Sequence, residues 1–336
     1  MASKKSIAVL GEGAWGTAIA SLLAYNGYRV NLWCHDLEVK KTIEQKRSND
    51  HYLPGFVLHK NIFPSTELNE VLSGSIWVFE AIPVQYLRSV AQQCAPFISQ
   101  EQRWVILSKG IEQETLLLPS QLLDDVFPVS VHKAAVVGPS FARDLMHQEI
   151  TAVNVAAYDA SIGTELQLLL ANAYFRPYFT HDVLGVQICA AVKNALGLLL
   201  GIADGAGCSD NTRAFLVTKA LQEMQQVCLA MGGKRETVYG LSGVGDLLLS
   251  VLGSQSRNVE VGRKLGQQQK LETILQETGY IPEGINTVQS LYALLQKYSL
   301  NLPICRGIHA IIFEHKSIND FLAELMTNPL QNECDE

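Results

Sequence analysis

The 336-residue sequence contains no cluster of basic residues and no basic stretch interleaved with aromatic residues. Its 26 lysines and arginines are outnumbered by 33 aspartates and glutamates, which gives a formal charge of −7 at pH 7. Nucleic-acid-binding proteins usually concentrate positive charge where they contact phosphates. The composition therefore argues against a nucleic-acid partner, and any anionic ligand must be held by a few local cations.

The cysteines form no C-x-x-C pair, and none lies with histidines at the spacing of a zinc site. Seven cysteines without such a pattern predict free thiols in a reduced, cytoplasmic compartment and no bound metal. The apolar run that begins at Ile7 is too short for a signal peptide, and Gln187, Lys193 and Asn194 interrupt the longer run over residues 183–203. We therefore expect no membrane span.

The sequence also lacks internal repeats, low-complexity tracts and a long linker. Its 336 residues exceed the size of about 250–300 residues at which one core usually stops growing, so two domains are predicted. Strand and helix patterns alternate in the first half, whereas helical periodicity dominates the second, over residues 183–202, 210–231 and 284–297. We predict an α/β fold: a Rossmann-like, doubly wound, mostly parallel sheet over residues 1–182, followed by an all-α domain over residues 183–330 whose first helix is capped by Asp182.

A glycine-rich turn follows the first predicted strand, residues 7–10. Gly11, Gly13 and Gly16 form a G-x-G-x-x-G pattern between this strand and a helix, and a second strand follows over residues 28–33. In this context the pattern is the dinucleotide-binding fingerprint, because the glycines permit a tight turn, close approach of a pyrophosphate and close helix packing. The sequence predicts a dinucleotide at the helix N-terminus.

The residues after the second strand leave the choice between NAD and NADP open. An Asp or Glu there would bond the ribose and select NAD, but the chain reads Cys34-His35-Asp36, with His35 at the expected ribose position. A histidine here is equally consistent with a surface loop. Three basic residues nearby in the sequence could help to hold a 2'-phosphate: Lys40, Lys41 and Arg47.

Three further strands are predicted over residues 76–82, 104–107 and 134–137. Ligands of open parallel sheets bind beyond the carboxyl ends of the strands. The residues that follow these strands should therefore meet at one crevice: Lys109, Gly138, Ser140 and Ala142. Taken alone, Ser140 is expected to cap a helix, and Lys109 is equally consistent with an exposed strand-end lysine.

A lysine, Lys193, lies near the start of the apolar helix "AAVKNALGLLLGIADG". Gly197 and Gly201 lie on the same face, one and two turns later, although each glycine costs a helix about 1 kcal/mol relative to alanine. Two interpretations remain open at this point: the glycines leave room for a ligand above the lysine, or they permit close helix packing beside a lysine that extends to solvent.

Two polar segments follow in the second half. In "GLSGVGDLLLS" a glycine-rich turn opens a helix with Asp246 in its first turn, which alone is consistent with a helix cap. In "SQSRN", Ser256, Arg257 and Asn258 offer a hydroxyl, a guanidinium and an amide, the donor types that a phosphate group needs, although a polar loop has the same composition.

Together these segments resemble the bacterial-type NAD(P)-dependent glycerol-3-phosphate dehydrogenases. "GEGAWGTA", "LWCHD", "LSKGIE", "GPSFA", the Lys193 helix, "GLSGVGDL", "SRN" and "PEG" occur in the family's order and spacing, and the resemblance extends from residue 6 to about residue 320. It implies reversible hydride transfer between dihydroxyacetone phosphate and sn-glycerol 3-phosphate, with NAD(P)H as cofactor and no metal. It also implies a cytoplasmic homodimer that supplies glycerol 3-phosphate for phospholipid synthesis.

The resemblance assigns roles to residues of this chain. The catalytic residues would be Lys193, as general acid and base, with Lys109 and Asp246. The cofactor would be contacted by Gly11, Gly13, Ala14, Trp15, Gly16, His35, Lys109, Ala142, Arg257, Ile281 and Glu283. The phosphorylated three-carbon substrate would be contacted by Lys109, Gly138, Ser140, Lys193, Asp246, Ser256, Arg257 and Asn258.

The chain departs from the family's usual pattern at four positions. Ala14 and Val84 stand where hydroxyl residues are common, Ser250 stands where threonine is frequent, and Glu80 interrupts a strand that is usually apolar. None of these changes removes a catalytic group. Two other interpretations remain: a related two-domain dehydrogenase that acts on another hydroxy acid, which would not need "SRN", and a cofactor-binding regulator without turnover, which would not need Lys109 and Lys193.

Overall fold

The computed structural model describes residues 6–253 and 255–327. Within them, a sheet region is followed by a helical region, which confirms the predicted fold class. The sheet region contains the strands β1 (Ile7–Leu10), β2 (Val30–Trp33), β3 (Ile62–Ser65), β4 (Trp77–Glu80), β5 (Arg103–Ile106), β6 (His132–Val137), β7 (Thr151–Ala157) and β8 (Phe175–Thr180).

The strands form one sheet in the order β3-β2-β1-β4-β5-β6-β7-β8. Neighbouring strands are parallel except for β6 and β7, which pair in opposite directions. The winding reverses between β1 and β4, and Leu10 at the end of β1 lies opposite both Trp33 and Glu80. Ligands of doubly wound sheets bind at such a reversal, beyond the carboxyl ends of the strands.

Helices cover both faces of this sheet. They are α1 (Ala14–Tyr25), α2 (Leu37–Lys46), α3 (Leu68–Leu72), α4 (Val84–Cys94), α5 (Pro119–Val126), α6 (Ala142–Met146) and α7 (Ala160–Leu170), with a short 3₁₀ turn at Ala95–Phe97. The four residues of β1, Ile-Ala-Val-Leu, are all buried. A strand covered on both faces is apolar throughout, and this explains why β1 is recognisable in the sequence.

The helical region contains α8 (Val183–Gly205), α9 (Asp210–Ala230), α10 (Arg235–Val238), α11 (Asp246–Leu252), α12 (Arg257–Gly266), α13 (Leu271–Thr278), α14 (Glu283–Lys297), α15 (Pro303–Phe313) and α16 (Ile318–Thr327). A single π turn, Leu241–Gly245, leads directly into α11. Among the described residues the cysteines are free, and Cys334 lies outside them.

Helix α8 is the central element of the helical region. Asp182 caps it as predicted, because its carboxylate accepts a hydrogen bond of 2.9 Å from the Gly185 backbone amide. The helix is long and apolar enough to cross a membrane, but 94% of its 18-residue apolar segment is buried inside the protein. Its first turns, at Val186 and Ala190, pack in the core beneath the sheet, whereas later residues pack among helices. Helix α8 therefore belongs to both hydrophobic cores.

The structure corrects some local predictions. Strands β3, β7 and β8 were not predicted, and the other strand ends shift by up to two residues. Ser140 does not cap α6: the cap position is Phe141, and the Ser140 hydroxyl donates to the Gly138 carbonyl at 3.0 Å. The division into domains at residues 182 and 183 stays a prediction.

Candidate active site

A cavity of about 1100 Å³ lies between the carboxyl edge of the sheet and the helical region. Its walls come from the glycine turn, the ends of β2, β4 and β5, the start of α6, and helices α8, α11, α12 and α14. Large concave sites of this kind, with polar groups from several elements, are the usual location of a ligand.

The glycine turn forms one end of the cavity. Gly11 has φ +108°, and a Cβ atom on Gly16 would lie 2.0 Å from the Gly11 carbonyl oxygen, so both positions require glycine. A Cβ atom on Gly13 would meet nothing within 4 Å, and no side chain caps α1 there. The Trp15 Nε1 atom is buried beside the cavity without a hydrogen-bond partner among the described residues. An open niche, an uncapped helix N-terminus and an unused donor fit a dinucleotide phosphate.

Two lysines from different regions converge on Asp246. The Lys109 Nζ atom, in the loop after β5, lies 2.7 Å from Asp246 Oδ2, and the Lys193 Nζ atom, on α8, lies 3.0 Å from Asp246 Oδ1. Lys193 also donates to the Ser250 hydroxyl at 3.0 Å. Both lysines line the cavity, whereas Asp246 lies behind them and is 1% exposed. Of the two interpretations of the lysine helix, the one in which Lys193 extends to solvent is therefore wrong, since Lys193 is only 8% exposed.

Burial and charge together set the protonation of this triad. Burial lowers the pKa of Lys193, and the positive charge of Lys109 acts in the same direction, while Asp246 opposes both. Burial alone would raise the pKa of Asp246, but the two lysines outweigh it and hold that pKa below its usual value. Asp246 is thus an anion that keeps a buried cation, Lys193, and a partly buried one, Lys109, close together.

The π turn places Asp246. The Ser242 hydroxyl donates to Asn154 Oδ1 at 2.7 Å, which ties the turn to β7. A Cβ atom on Gly243 would lie 2.0 Å from the Val238 carbonyl oxygen, so the turn can fold tightly only with glycine there. The glycine-rich sequence before Asp246 is therefore a packing requirement that fixes the start of α11.

Another part of the cavity wall is formed by the N-terminus of α12. Ser256 caps this helix by accepting a hydrogen bond of 3.4 Å from Val259, and Arg257 is exposed with its guanidinium 5.2 Å from the Tyr280 ring centre. Among the described residues no acidic side chain forms an ion pair with Arg257. A guanidinium without an ion-pair partner among the described residues, beside a helix N-terminus, suits an anionic group.

An amide network joins α8, α12 and α14 along the wall. Asn258 Nδ2 donates to Asn194 Oδ1 at 3.1 Å, and Asn194 Nδ2 donates to Glu283 Oε2 at 3.2 Å. Asn258 Oδ1 accepts from the Gly284 amide at 3.0 Å. Burial raises the pKa of Glu283. Asn258 therefore fixes helix positions at the cavity, with one amide hydrogen left for a ligand.

The two glycines after Lys193 serve helix packing. A Cβ atom on Gly201 would lie 2.2 Å from the Val259 carbonyl oxygen of α12, whereas one on Gly197 would make ordinary contacts of 3.6 Å and longer. Neither glycine lines the cavity. The expectation that they leave room for a ligand is wrong, because α12 packs alongside this face of α8.

Most predicted site residues lie on the cavity wall. These are Gly11, Gly13, Ala14, Trp15, Gly16, His35, Lys109, Ser140, Ala142, Lys193, Ser256, Arg257, Asn258 and Glu283. Besides Asp246, the structure leaves two others off the wall: Gly138 packs against Val153 of β7, and Ile281 is an exposed residue outside the cavity.

Several lining residues were not predicted from the sequence. They are Glu12, His51, Tyr52, Tyr86, Ser108, Phe141, Arg143, Asn194 and Gln255, among others. Glu12 stands inside the glycine pattern and Asn194 directly follows Lys193, so both could have been predicted as site residues from the motifs beside them. The others lie on loops or helix faces whose approach to the cavity depends on tertiary packing.

Glu80, at the end of β4, also has a place near the site. Its carboxylate accepts hydrogen bonds from the Ser108 hydroxyl at 2.7 Å and the Ile82 amide at 3.3 Å. Burial raises the pKa of Glu80 to about 8. Since Ser108 and Ile82 both line the cavity and Ser108 precedes Lys109, Glu80 ties together the two strand ends that carry them.

The basic residues after β2 are engaged elsewhere. Lys40 pairs with Glu44 at 2.7 Å, and Lys41 pairs with Glu38 at the same distance. Arg47 donates to the Ile62 carbonyl at 2.9 Å and to the His59 carbonyl. Asp36 caps α2 by accepting from Glu38, so it turns away from the cavity. Among the described residues no group of three or more His, Cys, Asp or Glu side chains is arranged to hold a metal ion.

Comparison with known sequences identifies the family. The sequence models described as NAD-dependent glycerol-3-phosphate dehydrogenase N-terminus and C-terminus match residues 6–162 and 182–323. The chain belongs to this family. The glycerol-3-phosphate dehydrogenase [NAD(P)+] of Syntrophotalea carbinolica is 39% identical over 98% of this chain and 100% of its own length. The corresponding Bacillus velezensis protein is 35% identical over 99% and 97%.

A solved structure of the same family shares the fold. The crystal structure of glycerol-3-phosphate dehydrogenase from Coxiella burnetii superposes with a TM-score of 0.92 at 31% identity and covers 97% of this chain and 99% of that chain. The family resemblance inferred from the motifs is thereby confirmed over nearly the whole chain.

Proposed function

We propose that this protein is an NAD(P)H-dependent oxidoreductase that interconverts dihydroxyacetone phosphate and sn-glycerol 3-phosphate. The observation that carries the proposal is the convergence of Lys109 and Lys193 on Asp246 in the cavity that also contains the dinucleotide-binding turn. A carbonyl reduction needs a proton donor beside the bound cofactor, and this arrangement provides one at the junction of the two regions.

Lys193 acts as the general acid in the direction of reduction. The nicotinamide, when bound, supplies the hydride to the ketone carbon. Lys193 donates a proton to the carbonyl oxygen as negative charge develops there, and in the reverse direction the neutral amine accepts the hydroxyl proton. Burial and Lys109 lower the pKa of Lys193 from its ordinary value and so make the amine a better proton donor.

Asp246 and Ser250 orient the amine, since both lie within 3.0 Å of the Lys193 Nζ atom. Lys109, on the other oxygen of Asp246, adds positive charge that stabilises the developing alkoxide. The structure supports this division of roles because Lys109, in the loop after β5, retains more solvent exposure than Lys193, 18% against 10% of the side chain.

The substrate phosphate is held at the N-terminus of α12. Arg257 supplies a planar guanidinium that can bond two phosphate oxygens at once, and the helix N-terminus adds a favourable dipole. Fixing the phosphate also fixes the carbonyl carbon of so small a molecule in relation to Lys193, and positioning of this kind accelerates reactions strongly.

We further propose a cytoplasmic homodimer that supplies glycerol 3-phosphate for phospholipid synthesis, as the family resemblance implies. Support for the reaction itself comes from curated relatives named glycerol-3-phosphate dehydrogenase [NAD(P)+], which align over nearly the whole chain.

The deciding experiment follows the absorbance of the reduced nicotinamide. Purified protein is mixed with dihydroxyacetone phosphate and either NADH or NADPH, and in parallel with a hydroxy-acid precursor such as a 2-keto acid without phosphate. We expect rapid loss of absorbance only with the phosphorylated ketone. Turnover of the 2-keto acid alone would assign another dehydrogenase activity, and cofactor binding without any turnover would favour a regulator.

A further inference from the structure

We propose that Glu12 makes this protein prefer NADH to NADPH by placing a carboxylate at the adenosine-ribose end of the cavity. This inference rests on the proposed function, which leaves the choice between the two cofactors open. It assigns a specificity-determining role to a residue inside the glycine pattern that is neither one of its glycines nor a catalytic group.

The Glu12 side chain reaches the end of β2. It is 5% exposed and lines the cavity between Gly11 and Gly13. Its Oε2 atom accepts a hydrogen bond of 3.1 Å from the His35 amide, and its Oε1 atom accepts one of 3.1 Å from the Asp36 amide. These two amides follow β2 closely, at the position from which doubly wound enzymes recognise the adenosine ribose.

In such enzymes an acidic residue at the end of the second strand bonds the ribose hydroxyls of NAD, whereas a nearby arginine accommodates the 2'-phosphate of NADP. Here the strand ends without an acid, and Asp36 is used as the cap of α2. Glu12 supplies the missing carboxylate from the glycine turn. It also uses two backbone amides that would otherwise be available to a phosphate.

The backbone of Glu12 is held in place. Its carbonyl oxygen accepts hydrogen bonds from Thr17 Oγ1 at 2.8 Å and Asn49 Nδ2 at 2.7 Å. Asn49 also donates to Thr17 Oγ1 at 2.8 Å, which closes a buried network behind the turn. A carboxylate fixed at both its backbone and its side chain cannot easily withdraw from an incoming phosphate.

The surrounding charge does not neutralise Glu12. Among the described residues its carboxylate has no ion-pair partner, and Lys40 and Lys41 pair with Glu44 and Glu38. Burial raises the pKa of Tyr52, which lines the same end of the cavity, and the negative charges of Glu12 and Asp36 raise it further. The other titratable side chains on the wall near Tyr52 are His35, His51, whose ring centre lies 4.4 Å from that of Tyr52, and Arg143, which donates to the Pro54 carbonyl at 3.5 Å. A 2'-phosphate placed against Glu12 would meet like charge, which is strongly unfavourable in binding sites.

The test separates the nucleotide end from catalysis. Binding of 5'-AMP and of adenosine 2',5'-bisphosphate is measured by calorimetry on the unmodified protein, Glu12→Gln and the control Glu70→Gln, which changes an exposed acid on α3 outside the cavity. We expect the unmodified protein and the control to bind 5'-AMP at least about tenfold more tightly than the bisphosphate, and Glu12→Gln to reduce this ratio about fivefold or more.

The ratio of kcat/KM for NADH to that for NADPH should change in parallel. Equal or tighter binding of the bisphosphate by the unmodified protein, or an unchanged ratio in a folded Glu12→Gln variant, would overturn the inference. If Glu12→Gln does not fold, Glu12→Asp replaces it. Its shorter side chain should also reduce the ratio of 5'-AMP affinity to bisphosphate affinity, because the carboxylate lies farther from the end of β2. Failure of the proposed function shows itself differently, as selective binding of 5'-AMP without oxidation of either cofactor by dihydroxyacetone phosphate.

Discussion

At the scale of single residues, Lys193 carries the largest desolvation cost of the site, because it is a cation buried on an apolar helix. Asp246 balances its charge and the Ser250 hydroxyl helps to orient its amine, and both residues belong to α11. The pair with Asp246 compensates part of the desolvation cost, while burial still lowers the pKa of the amine. The same arrangement that makes Lys193 costly for folding makes it suited to proton transfer.

Replacing Lys193 with alanine should lower kcat by about 10²–10⁴-fold, because the reduction loses its proton donor. The Kd for NADH should change little, since the glycine turn is unaffected. Steady-state kinetics and fluorescence titration measure the two quantities, and Lys60→Ala, an exposed lysine away from the cavity, serves as control. Near-normal turnover of Lys193→Ala would exclude it as the acid.

Replacing Arg257 with lysine should raise the KM for dihydroxyacetone phosphate about tenfold, because an ammonium group cannot bond two phosphate oxygens in the planar geometry of a guanidinium. The KM for the cofactor should stay within about twofold. Arg263→Lys provides the matched control on the same helix, since Arg263 pairs with Asp204 and does not line the cavity. An unchanged substrate KM in Arg257→Lys would remove the phosphate role.

Glu80 should make stability depend on pH. In the folded protein its pKa is raised to about 8, so between about pH 5 and pH 8 it keeps a proton that the unfolded chain releases. Stability therefore falls as pH rises through this window and levels off above it. Glu80→Gln should flatten that part of the curve, measured by urea unfolding from pH 5 to pH 9. The control Glu70→Gln changes an exposed acid on α3 and should leave the pH dependence of the unfolding free energy unchanged. An unchanged pH dependence in Glu80→Gln would show that Glu80 is not a buried neutral carboxyl in the folded protein.

At the scale of elements, the close packing of α12 along α8 determines where the site lies. Gly201 and Gly262 let the two helices approach closely: a Cβ atom on either would lie 2.2 Å from a carbonyl oxygen of the other helix. This contact brings the N-terminus of α12, with Arg257, to the cavity that Lys193 also lines. The glycines of the lysine helix thus serve the site indirectly, by fixing the approach of the element that carries the arginine.

Gly201→Ala should destabilise the protein by about 1–3 kcal/mol, because the added methyl group has no space. Gly197→Ala on the same helix should be neutral or stabilising by up to about 1 kcal/mol, since its Cβ atom finds ordinary contacts and alanine favours helix. Urea unfolding of the two variants measures the difference. Equal effects would show that the close packing of α12 against α8 is not what requires Gly201.

The burial and position of each element explain which strands and helices could be predicted from the sequence. Strand β1 was predictable because it is buried on both faces and is followed by glycines, and α8 because of its length and its cap. Strands β3 and β8 form the two edges of the sheet, and each contains a proline, Pro64 and Pro177. Proline is tolerated at sheet edges but weakens the sequence signal of a strand.

Within the site, motifs predicted the groups that lie close to one another in sequence. The positions of Glu12, Tyr52 and Asn194 became meaningful only through tertiary contacts, such as the bonds from Glu12 to the backbone after β2. The opposite error arose at Gly201, where one helix seen alone offered space that α12 occupies in the folded chain. In both cases the contacts of a residue depend on elements that are distant in sequence, so the local segment alone does not predict them.

At the scale of the whole molecule, the sheet and helical regions are joined by a shared helix and a shared ion pair. The first turns of α8 belong to the core beneath the sheet, and residues such as Leu196 and Leu199 belong to the core among helices. The Lys109–Asp246 pair spans the same boundary. Separation of the two regions would expose apolar surface of α8 and break an ion pair whose carboxylate is buried, so each region depends on the other.

We therefore expect the two regions to unfold together. All four tryptophans lie at or before residue 104, so their fluorescence reports the sheet region, whereas the long helices α8 and α9 weight far-UV circular dichroism toward the helical region. Thermal midpoints from the two signals should coincide, as a single cooperative transition requires. A saturating concentration of NADH should raise both by the same amount, because a ligand that binds only the folded protein stabilises the whole cooperative unit. Separate midpoints, or a shift in fluorescence alone, would show that α8 does not couple the two cores.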